Sequence, residues 1–217
     1  MKDQELPQAI SAIKKAVRGF KIPAVSVVAE TKDPYKVLIS CILSLRTQDG
    51  TTADASARLF GLAATPQKML GLEVGTVEKA IYPVGFYRTK AVSIQKINRI
   101  LVEEFKGKVP DSMEELLRLP GVGRKTANLV MGIGFGQPAI CVDTHVHRIT
   151  NRWGYVSTKT PEQTEAALSD KLPKRYWIEI NDLLVKFGQN QCKPVSPICS
   201  SCPVAAYCAR VGVGKSR

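Results

Sequence analysis

Apolar residues recur at intervals of three and four along most of this chain. Leu6, Ile10, Ile13 and Val17 make one stripe, and Ala91, Ile94, Ile97 and Leu101 make another. At about 3.6 residues per turn each set lies on one face of a helix, while sustained period-two alternation, the signature of a half-buried strand, is absent. The pattern predicts an all-α chain of short helices. Their starts share one form, in Asp33-Pro34, Thr65-Pro66 and Thr160-Pro161. In each, a side-chain oxygen is placed to cap the first free N–H groups, and the proline takes the first helical position, where its missing N–H is not needed. Ser112 and Glu115 have the spacing of a capping box ahead of "MEELLRL". The compositional break comes at about Gln191, where a Pro- and Cys-rich tail begins a loop-rich module.

Chemistry enters with "LPGVGRKTAN", residues 119–128. Pro120, Gly121 and Gly123 set a tight turn between the "MEELLRL" helix and a second helix opening at "RKTANLVMGIG", a helix-hairpin-helix. A side chain at Gly121 or Gly123 would hold the backbone off a nucleic acid, and the N–H groups that open the second helix face a phosphate oxygen. The motif specifies binding; Lys125, just after it, reads from the motif alone as either a phosphate partner or a nucleophile. Further on, "CVDTHVHRITNRW" puts Asp143 at the entry of a basic helical segment. An N-cap there is compatible with presenting an oxygen to a substrate. His145 and His147 are two apart, on different helix faces, and neither is expected to bind metal.

The charge balance narrows the partner. With 31 Lys plus Arg against 19 Asp plus Glu, the net charge of +12 favours a polyanion, whose condensed counterions are released on binding. The 217 residues allow one large or two modest domains. The N-terminal segment has no apolar signal-like core and no stretch has the length of a membrane span, so an intracellular, cytoplasmic protein is expected. Its polyanionic partner makes it nucleoid-associated by expectation, and as nothing in the sequence suggests a dimer, a monomer is expected. Four of the six cysteines, Cys192, Cys199, Cys202 and Cys208, form C-x6-C-x2-C-x5-C. In an intracellular chain such a cluster points to metal rather than to disulfides. Zinc sites typically show two short hooks across a longer gap, whereas this compact run with a single C-x2-C suits thiolates around a 4Fe-4S cubane. Cys41 and Cys141 sit in apolar runs and read as buried structural thiols.

Taken together, the hairpin "LPGVGRKTAN", the acid-bearing "VDTHVHR", the tail cysteines and "VGFYRTKA" resemble the endonuclease III family over essentially the whole chain. The resemblance implies a two-domain helix-hairpin-helix DNA glycosylase fold, with a six-helix barrel over about residues 27–137 and an iron-sulfur cluster domain from residues 1–26 and 138–217. It implies double-stranded DNA with a damaged base or an abasic site as the partner, bound between the two domains. By the same resemblance Lys125 is the nucleophile that forms a Schiff base with the sugar, and Asp143 is the essential carboxylate. The DNA-contacting set is Arg46, Gln48, Phe86, Leu119, Gly121, Val122, Gly123, Arg124, Thr126, His145, Arg148 and Lys193, with the four tail cysteines holding a 4Fe-4S cluster. Phe86 matches an apolar wedge, and Arg46 stands where many relatives carry glutamine facing the orphaned base. An aromatic in a turn is also compatible with plain core packing. Open alternatives are a monofunctional or mismatch-specific glycosylase of the same superfamily and a non-enzymatic iron-sulfur DNA-binding module. Against the monofunctional adenine glycosylases, no acid lies between Asp33 and Asp49 to serve as their catalytic glutamate.

Overall fold

The computed structural model describes residues 1–20, 23–29 and 31–217, and no strand occurs among the described residues. The chain divides into two compact units, one made of Met1–Pro23 with Ile140–Arg217 and the other of Ala24–Ala139. The first opens with α1 (Leu6–Ala16), whose stripe Leu6, Ala9, Ile10 and Ile13 is buried as the periodicity predicts.

The continuous unit contains α2 (Ala24–Ala29), α3 (Pro34–Ser44), α4 (Asp49–Leu62), α5 (Pro66–Leu70), α6 (Val74–Ile81), α7 (Tyr87–Glu103), α8 (Met113–Leu117) and α9 (Arg124–Leu129). A five-residue π segment, Val130–Gly134, continues α9. The core runs through α3, which packs against α2, α4, α7, α9 and the π segment. Surrounded in this way, it is apolar almost all round: Val37, Leu38, Ile39, Cys41, Ile42 and Leu43 are all buried. Its start is fixed by Asp33, whose carboxylate accepts from the N–H groups of Tyr35 and Lys36. Thr65 caps α5 in the same manner, accepting from Lys68 N–H. A buried polar link ties α3 to α7: Tyr35 donates to Asn98 Oδ1 at 2.7 Å, and Asn98 Nδ2 donates to Ile94 O at 2.7 Å. Burial pushes the Tyr35 hydroxyl well above its usual titration range, so it stays a donor.

The discontinuous unit resumes with α10 (Thr144–Arg152), α11 (Pro161–Lys171) and α12 (Glu179–Asn190). Leu6, Ile10 and Ile13 of α1 share one apolar cluster with Val146, Ile149, Trp153, Ile180, Leu184 and Phe187. This burial, together with the Lys14–Glu179 ion pair at 2.7 Å, is why the N-terminal helix belongs with the last third of the chain. Among the described residues no helix is long and apolar enough to cross a membrane.

Candidate active site and nucleic-acid interface

In the hairpin, Ser112 accepts from Glu115 N–H at 3.3 Å and starts α8. The Glu115 carboxylate accepts the Ser112 hydroxyl proton at 2.8 Å, in place of the main-chain bond of a full capping box. The turn that follows is closed by Leu119 N–H to Leu116 O at 3.2 Å and Val122 N–H to Leu119 O at 3.1 Å. Gly121 has φ +78°, in the left-handed region, while an added Cβ there would meet nothing closer than Ile42 Cδ1 at 3.9 Å. Conformation, not crowding, requires this glycine. Gly123 is the N-cap of α9 with open space around its Cα. Leu119, Val122 and Thr126 are buried, at 2%, 6% and 3% exposure. Their side chains pin the turn to the core. Arg124 and Lys125 are exposed at the mouth of α9, where the first N–H groups of a helix have no carbonyl partner within it.

A second exposed edge lies on the same unit. Arg46 and Phe86 both adopt left-handed backbone, φ 53° and 57°, a conformation uncommon outside glycine. Phe86 is 63% exposed and therefore is not core, and the Arg46 guanidinium sits 5.7 Å from its ring centroid. The loops are joined by Gly85 N–H donating to Thr47 Oγ1 at 3.1 Å. A Cβ on Gly85 would lie 2.5 Å from Arg46 O, so only glycine lets the strands of chain approach this closely. Gln48 is exposed and begins α4 without a side-chain cap bond. Behind the edge stands Lys90, 8% exposed, which sequence reasoning missed. Its signal was legible: it falls on the buried stripe of α7 with Ala91, Ile94, Ile97 and Leu101, where a lysine needs acceptors.

The discontinuous unit carries the remaining expected residues. Asp143 is the N-cap of α10, and its Oδ1 accepts from His145 N–H and Val146 N–H, both at 2.9 Å. Among the described residues none hydrogen-bonds its Oδ2, so the cap leaves one carboxylate oxygen to present. His145 and His147 take different partners, as their spacing predicts: His145 Nδ1 meets Arg148 Nη2 at 3.1 Å, and His147 Nδ1 meets Thr164 Oγ1 at 2.6 Å. Arg148 turns inward. Its Nη2 donates to Cys192 O at 2.9 Å and Gly188 O at 3.3 Å, and desolvation pulls its pKa down. The guanidinium thus holds the cysteine loop. Lys193 is partly exposed in that loop.

Cys192, Cys199, Cys202 and Cys208 line one small pocket, walled by Trp153, Phe187, Ile198, Val204 and Val213. Arg152 Nη1 points at Cys192 Sγ and Arg210 N–H at Cys208 Sγ, each at 3.4 Å, while Arg152 also donates to Lys193 O and Pro194 O at 2.7 Å. Burial, followed by the neighbouring sulfurs, pushes the Cys202 and Cys208 thiols up. The sulfurs share the pocket without being drawn into a ligand shell: among the described residues no three His, Cys, Asp or Glu side chains converge as a metal site. Four soft donors with N–H groups aimed at two of them and an apolar wall fit a buried cluster of iron and sulfide. Cys41 and Cys141 are buried, in line with their reading as core thiols.

Residues 39–174 match the family of HhH-GPD superfamily base excision DNA repair proteins. An endonuclease III of Thermotoga maritima is 50% identical over 188 residues, covering 85% of this chain and 88% of that protein. The endonuclease III-like protein 1 of Bos taurus is 45% identical over 177 residues; these are 80% of this chain and 58% of that longer protein. Among solved structures, a trapped covalent intermediate of endonuclease III with DNA superposes with a TM-score of 0.83 at 32% identity, covering 97% of each chain. With a superfamily match across the hairpin and Asp143, and relatives aligned over most of its length, the chain belongs to the endonuclease III family of base-excision-repair DNA glycosylase/lyases.

Proposed function

We propose that the substrate is duplex DNA carrying an oxidised pyrimidine or an abasic site, and that Lys125 is the nucleophile. The carrying observation is its position: an exposed amine at the second residue of α9, immediately beyond a left-handed glycine turn, at a helix start of the kind that receives a phosphate. The amine attacks C1′ of the damaged nucleoside, the glycosidic bond breaks, and the base leaves with a proton. The opened sugar remains on Lys125 as a Schiff base, loss of a C2′ proton breaks the C3′–O bond, and the 3′ phosphate departs. Attack requires a neutral amine, and bound DNA would strip water from this exposed side chain. Asp143, through the oxygen its cap leaves unused, stabilises the sugar cation and accepts protons.

The target nucleotide must leave the stack, at about a few kcal/mol. We assign Phe86 to the gap it leaves and Arg46 to the orphaned base, where a guanidinium donates two hydrogen bonds to a guanine edge; Gln48 stands two residues further along the same loop. Cys192, Cys199, Cys202 and Cys208 would hold a 4Fe-4S cluster that braces the loop bearing Lys193, a phosphate contact. Incubation with a duplex containing thymine glycol should release free base and cut the strand on the 3′ side; base release with an intact strand would contradict the lyase step. Purified protein should be brown with iron and sulfide in equal amounts, and a colourless protein holding zinc would overturn the cluster assignment.

A further inference from the structure

The edge formed by Arg46 and Phe86 is built from two loops distant in sequence, and one buried cation ties them. Lys90 Nζ donates to Leu43 O at 2.8 Å, Leu45 O at 2.5 Å and Thr47 Oγ1 at 3.2 Å. An ammonium has three donors, and here they meet three acceptors, two carbonyls and a hydroxyl. Leu43 O belongs to the last turn of α3, where carbonyls lack helical partners and a cation is favoured. Thr47 Oγ1 is the shared node. It accepts from Lys90 and from Gly85 N–H, and it donates to Leu45 O at 3.3 Å. Lys90 itself lies one turn beyond Phe86, its N–H bonded to Phe86 O at 3.0 Å. One side chain therefore links the end of α3, the loop carrying Arg46 and the start of α7 carrying Phe86.

We propose that Lys90 is a positioning residue, which clamps these loops so that Arg46 and Phe86 meet the duplex as one preformed edge. The proposal rests on the reading of that edge as the part that fills the gap in the stack. Left-handed backbone at Arg46 and at Phe86 persists only where surroundings enforce it, and the clamp supplies the enforcement. Placement errors of about 1 Å lower rates by about a hundredfold even when no reacting atom is touched.

The test is single-turnover excision of thymine glycol from a duplex by wild type, Lys90→Met, Thr47→Val, Arg46→Ala, Phe86→Ala and the Lys90→Met/Phe86→Ala double variant. The methionine keeps the stem and removes the donors; the valine removes the node alone and decides the matter if the methionine variant does not fold. Excision should slow about tenfold to a hundredfold in Lys90→Met and by a smaller factor in Thr47→Val. On the Phe86→Ala background, loss of Lys90 should cost far less than on wild type, because the two act through one edge. An equal loss on both backgrounds would mark a general structural role and overturn the proposal. Slow Arg46→Ala and Phe86→Ala variants beside wild-type rates from Lys90→Met and Thr47→Val would overturn the clamp alone. Wild-type rates from Arg46→Ala and Phe86→Ala would overturn the reading of the edge, and the clamp with it.

Discussion

Lys90 and Lys125 stand on the same unit in opposite situations, one sealed against three oxygens and the other exposed at a helix mouth. Desolvation holds Lys90 down to about 8. In the unfolded chain a lysine titrates near about 10.4, so between these values the unfolded state binds more protons than the folded one. The folded state therefore gains stability as pH rises from about 8 to about 10.4, and that gain is absent from Lys90→Met. Denaturant unfolding at several pH values should show wild type gaining on the variant with rising pH; a pH-independent difference would contradict the burial of a charged amine. Cys41 gives a second check. Burial, partly opposed by the charge of Lys125, raises its thiol to about 12, so it should resist alkylation in the folded protein. Rapid labelling of Cys41 in the folded protein would contradict this.

Among the elements, the sequence and the structure part company in an instructive way. Gly85→Ala should separate the loops at Arg46 and destabilise the protein by about 1–3 kcal/mol, because a Cβ would press on a main-chain oxygen that cannot rotate away. Asp33→Ala should cost about 1 kcal/mol through loss of the cap on α3. Thermal unfolding measures both, and unchanged midpoints would contradict them. The caps and the stripes of α1 and α7 were readable because they depend on residues a few positions apart. The burial of Leu119, Val122 and Thr126 was not readable, because a motif names positions without saying which side chains face the core. The bonds of Arg148 were not readable either, since its acceptors, Gly188 and Cys192, lie some forty residues away in the chain. Lys90 carried a local signal, a charge on an apolar stripe, but its three acceptors come from a different helix and loop.

For the molecule as a whole, the charge of +12 and the proposed phosphate contacts make DNA affinity strongly salt-dependent. Lys193→Ala should flatten the slope of log affinity against log salt by about one, with little change in lesion preference. An unchanged slope would remove Lys193 from the interface. The all-α architecture, the hairpin and the cysteine cluster were legible as patterns. The covalent step by which the amine takes hold of the sugar is the centre of the account, and borohydride reduction during turnover tests it most directly. With a duplex bearing thymine glycol or an abasic site, wild type should be trapped as a covalent protein–DNA adduct and Lys125→Ala should not, while Asp143→Asn should trap more slowly. Trapping of Lys125→Ala at the wild-type level, or no adduct with wild type on DNA that it binds, would contradict the assignment of Lys125 as nucleophile.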